Sequence, residues 1–105
     1  MAWICLIFAG LFEIGWPVGL KMAQEENTRI VGISYAVTFM SVSGLLLWLA
    51  QKQIPIGTSY AVWTGIGAAG TFLVGVIFYG DPSSLGRYVG IILIIAGVAT
   101  FKLAH

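Results

Sequence analysis

Glu13 stands alone among apolar residues in AGLFEIGWPVGLK (residues 9–21), three residues before Trp16 and four before Pro17. A carboxylate at the centre of a bilayer costs at least ~2.5–3.5 kcal/mol on insertion scales, so it faces a cavity or a partner. No Lys, Arg or His lies in the interior of any apolar run to neutralise it. An acid of that kind is suited to trading a proton for another cation. On a helix, Leu6, Gly10, Trp16, Pro17 and Leu20 share its face. Gly10 would leave space beside the acid and Trp16 would supply an aromatic wall, which together attract a cation through charge and cation–π contact. The plainer reading is a protonated glutamic acid hydrogen-bonded between helices, with Trp16 as packing. Pro17 cannot donate to the carbonyl of residue 13 and its ring crowds that carbonyl, so a bend beside the acid is expected.

A second stretch, GTSYAVWTGIGAAG (residues 57–70), sets Tyr60 and Trp63 three residues apart, with Thr64 and Gly67 continuing their face. The Tyr60 hydroxyl and the Trp63 indole N–H are both able to hydrogen-bond an acid. Gly65, Gly67 and Gly70 spell G-x-G-x-x-G, but no strand precedes them and the run is apolar, so a dinucleotide loop is rejected. Glycines here permit close helix contact or bending. Ser43 is a candidate polar contact from another segment, with Ser34 and Ser41 as rivals. Gly90 and Gly97, seven apart within a third glycine-bearing segment, would let a helix approach a second copy closely.

These residues must be positioned by membrane helices. Of 105 residues 59% are hydrophobic and only 9% charged; mean hydropathy is +0.98. A water-soluble domain of this size needs more charge to cover its surface. Polar connections KMAQEENTR (21–29), QKQIPIG (51–57) and GDPSSLGR (80–87) separate apolar runs over about 2–20, 30–50, 58–79 and 88–103. Each is read as one transmembrane helix of a single domain over 1–105, the fourth short for the roughly 30 Å hydrocarbon core. The first run lacks a basic leader and reads as a mature span rather than a cleavable signal. Continuous rather than alternating apolar runs argue against a barrel. Lone Cys5 allows no intrachain disulfide, His105 carries no weight as a metal ligand, and a net charge of +1 implies no nucleic-acid partner.

Charge gives the helices little orientation. Lys52, Lys102 and the amino terminus would share one side, and Lys21, Arg29 and Arg87 the other. Positive charge sets topology through such counts, so a tie predicts weak preference or insertion both ways.

Taken together, the glutamate of the first span, Lys21 closing it, and PIGTSYAVWTGIG (residues 55–67) resemble the small multidrug resistance family of bacterial transporters. Trp16 after EIG, with WTGIG, is similar to its guanidinium exporter subtype. The resemblance covers the whole chain and implies an all-α, four-helix subunit of an antiparallel homodimer in the bacterial cytoplasmic membrane. It implies exchange of protons for guanidinium or small guanidinyl or ammonium cations, driven by the proton gradient with no cofactor or enzymatic chemistry. Glu13 of both subunits would form the shared proton and substrate site. Trp16 and Ser43 would order that acid, Tyr60 and Trp63 would stand beside it, Gly10 would line the pocket, and the fourth helix would carry the dimer contact. Three departures stand out: the long acidic KMAQEENTR, Pro17 in place of a small or aliphatic residue, and aspartate rather than glutamate in GDP (80–82). A broader quaternary ammonium exporter, one subunit of a heterodimeric pair, and a non-transporting membrane subunit are the alternatives.

Overall fold

A computed structural model describes residues 1–104, and among them run four α-helices: α1 (Ala2–Met22), α2 (Arg29–Ala50), α3 (Ile56–Phe78) and α4 (Leu85–Leu103). All four are long and apolar enough to cross a membrane. His105 lies outside the described residues.

Local chemistry explains where the helices begin. Pro55 precedes α3, where its missing N–H costs nothing, so α3 begins at Ile56 rather than Thr58. Ser84 caps α4 by accepting a 3.3 Å hydrogen bond from the Arg87 N–H. That cap starts α4 at Leu85, three residues before the expected Tyr88. Its 19 residues give about 28 Å of helix at 1.5 Å per residue, so the fourth span is less short than its apolar run suggested. The KMAQEENTR connection is compact as well. α1 runs on to Met22, a 3-10 turn spans Glu26–Thr28, and the Thr28 hydroxyl donates to the Met22 carbonyl at 2.6 Å.

Lipid offers no hydrophobic drive for helices to associate, so close packing must hold them together. α1 is the hub, with α2 on one side and α3 on another, while α4 leans on α3. Gly19 and Gly32 bring the α1 and α2 backbones together: a Cβ on Gly19 would lie 2.6 Å from the Ala36 nitrogen and 2.7 Å from the Gly32 oxygen. Gly15 accepts the Phe39 ring against α1. Leu6, Ala50, Ile54 and Val62 form a buried cluster towards the end of the molecule that carries Met1. At this same end Lys52 lies over the Trp48 ring at 4.4 Å and Lys102 over Trp3 at 5.3 Å. Such aromatic and lysine pairs suit the membrane interface. The subunit is a slab of 47 × 34 × 17 Å, and Ile91 is the one buried residue of α4.

Candidate cation site

Glu13 sits near the middle of α1, between α2 and α3. The Trp16 indole N–H, one turn on, donates to its Oε1. The other oxygen, Oε2, is buried and has no hydrogen-bond partner among the described residues. A buried acceptor left unpaired carries a desolvation penalty of ~1–3 kcal/mol, more for a charged group, and is primed to take a donor.

A second set of polar groups ties the helices, and its Ser43 side chain stands next to the Glu13 carboxyl. The Trp63 indole N–H of α3 donates to the Ser43 Oγ of α2 at 2.8 Å. Ser43, fully buried, donates in turn to the Ala9 carbonyl of α1 at 2.6 Å. One hydroxyl thus ties three helices together. Ser41 spends its hydroxyl on the Val37 carbonyl of its own helix at 2.8 Å, which leaves Ser43 as the serine that crosses between helices here.

The space beside the acid is made differently from what the sequence suggested. Gly10 is buried under α3, and a Cβ there would lie 2.7 Å from the Ile66 Cβ. It is a packing notch, not open room. Gly67 is the glycine that faces the acid: a Cβ on it would lie 2.5 Å from the Glu13 Cγ. Gly67, Thr64, Ala68 and Thr71 of α3 join Glu13 and Pro17 around a groove of about 260 Å³. Sequence reasoning had put Gly67 on the Trp63 face without giving it to the acid. Its spacing of four from Trp63 was the available signal.

Within one chain Tyr60 lines a different groove from the acid. It is 57% exposed, its ring 5.5 Å from that of Trp63, and it lines a separate α3–α4 groove with Gly97 and Phe101. One turn further along, Gly65 lets α4 pack closely, with Val98 2.7 Å from where its Cβ would be. Gly90 and Gly97 meet nothing within 4 Å of where a Cβ would be, so neither touches another helix closely in the subunit.

The arrangement is a half-ligated carboxylate on an open groove, held by an aromatic donor and backed by a rigid polar tie. The sequence pattern of the Small Multidrug Resistance protein family matches residues 1–94. The chain belongs to the small multidrug resistance family. It is accordingly a multi-pass protein of the bacterial inner membrane, with transport as its class of activity. Among relatives, the guanidinium exporter of Yersinia pseudotuberculosis is 44% identical over 104 residues, covering 99% of both chains. The guanidinium exporters of Escherichia coli K12 and Salmonella typhimurium are 42% and 41% identical, each over 99% of this chain and 98% of their own.

Proposed function

We infer that this chain exports guanidinium in exchange for protons, working as an antiparallel homodimer with the proton gradient as its energy source and no cofactor. The observation that carries this reading is the unpartnered Glu13 Oε2 on a mid-membrane groove with no lysine or arginine along its lining. The exporters to which the chain is similar supply the substrate class. Guanidinium is planar and permanently charged, with a fork of N–H donors that matches carboxylate oxygens, as arginine does. Two Glu13 side chains, one from each subunit, accept that fork. Protonation of the pair removes both charge and acceptors, so proton and cation compete for one site. Exchange follows because each side of the membrane meets either a protonated or a cation-loaded pair. The near-tied loop charges favour insertion of the two subunits in opposite directions. The open α4 face, with Gly90 and Gly97, is where the second copy packs.

The purified chain alone, reconstituted in liposomes, tests this. Guanidinium gradients are expected to drive proton movement, and the bulky aromatic cation ethidium is expected to drive little. Absence of guanidinium-linked proton movement would overturn the homodimeric exporter, and preference for ethidium would favour the broader ammonium exporter.

A further inference from the structure

The groove at Glu13 has a neighbour. Pro17 and Thr71 line it and also line a second cavity of about 170 Å³ that opens at the far ends of α1 and α3. Lys21, Tyr79 and Asp81 surround this mouth. The chain is built to put Asp81 there. Gly80, with φ 66°, turns the backbone after α3, and the Asp81 N–H donates to the Gly75 carbonyl at 3.0 Å. The Asp81 carboxylate then rests against Gly75, in a notch that any Cβ would fill.

The electrostatics of the mouth favour a cation. α1 and α3 both end here, and helix C-termini carry partial negative charge on their last carbonyls. Asp81 adds a carboxylate to that end, opposite to what the helix dipole prefers, and Tyr79 adds an aromatic face. One cation is already present: the Lys21 ammonium lies 5.8 Å from the Tyr79 ring centroid, over the ring rather than on the carboxylate.

We propose that this mouth is a second, peripheral binding site for small organic cations, built from Asp81 and Tyr79, with Lys21 as a tethered resident that the arriving cation displaces. The cation binds at the rim, then passes along the wall of Pro17 and Thr71 to Glu13. Lys21 keeps the site from holding a cation tightly, so the rim gathers substrate without trapping it. The export reading supplies only the identity of the cation; the geometry of the mouth stands apart from it.

The test uses the Glu13→Gln chain in lipid bicelles, with the Tyr79 ring isotopically labelled for NMR and guanidinium chloride as the probe. A saturable Tyr79 shift is expected that sodium chloride at equal concentration does not reproduce. Asp81→Asn is expected to raise its midpoint about fivefold. Lys21→Gln is expected to lower it about two- to threefold, a gain that misfolding does not produce. A Tyr79 signal that follows ionic strength alone, or a midpoint indifferent to both substitutions, would overturn the proposal. A Tyr79 response in a chain whose wild type moves no protons with guanidinium would keep the mouth and refute the export reading.

Discussion

From Glu13 to Met22, α1 meets α2 on one side and α3 on another, and the two contacts are built in opposite ways. Towards α2 the seam is closed: Gly15 takes the Phe39 ring, and Gly19 and Gly32 bring backbone atoms into contact. Towards α3 the same stretch opens into two cavities with Pro17 and Thr71 between them, one at Glu13 and one at Lys21 and Asp81. The first contact brings backbone onto backbone at Gly19 and Gly32 and has no slack; the second leaves room beside Glu13. A membrane protein this small needs both on one helix, a fixed post on one side and an adaptable wall on the other.

The closed seam should break hardest. Gly19→Val sets a branched side chain against the Ala36 nitrogen and the Gly32 oxygen, neither of which has anywhere to go. Loss of folded, monodisperse protein in detergent is expected, beyond the usual ~0.5–3 kcal/mol of a single substitution. A well-folded Gly19→Val protein would show that the seam has slack after all.

The open wall should break in function before it breaks in fold. Gly67→Ala places a methyl 2.5 Å from the Glu13 Cγ, so the carboxyl must swing away while the helices stay packed. Guanidinium transport is expected to fall ~10–100-fold with thermal stability little changed, since misplacement of a binding group by about 1 Å costs on that order. Transport unaltered by Gly67→Ala would show that Glu13 does not work from this rotamer.

A smaller effect is expected at the tie between the two. Ser43→Ala leaves the Trp63 indole N–H without its acceptor and takes away the side-chain donor to the Ala9 carbonyl. A loss of about 1–3 kcal/mol in unfolding free energy is expected, with transport reduced in parallel rather than abolished. Ser41→Ala, whose hydroxyl serves its own helix, is the control and should leave both within error.

Much of this was legible in the sequence, for physical reasons that also set its limits. Hydropathy marked the four spans because lipid forces backbone bonds inside each segment. The Glu13–Trp16 pair followed from helical spacing, since both residues lie on one helix. The surroundings of Gly10 and Tyr60 were not legible because their neighbours come from other helices: Ile66 fills the notch at Gly10, and Tyr60 lines a groove between α3 and α4. Gly67 and Asp81 were visible as residues but not as neighbours of Glu13 and Lys21. Spacing within a helix is local, and the rotation of one helix against another is not. The Gly15–Gly19 spacing of four was a close-packing signal for the α1–α2 seam that went unread.

The central claim is that proton and guanidinium compete for the Glu13 carboxyl, and the most direct measurement is guanidinium affinity as a function of pH in the wild type and in Glu13→Gln. The sign is fixed by competition: lowering the pH protonates the acid, removes its charge and weakens binding, by up to about tenfold per pH unit for each competing proton. The wild type is expected to show that slope and Glu13→Gln a flat profile. Wild-type affinity independent of pH, or the same slope with Gln at position 13, would contradict it.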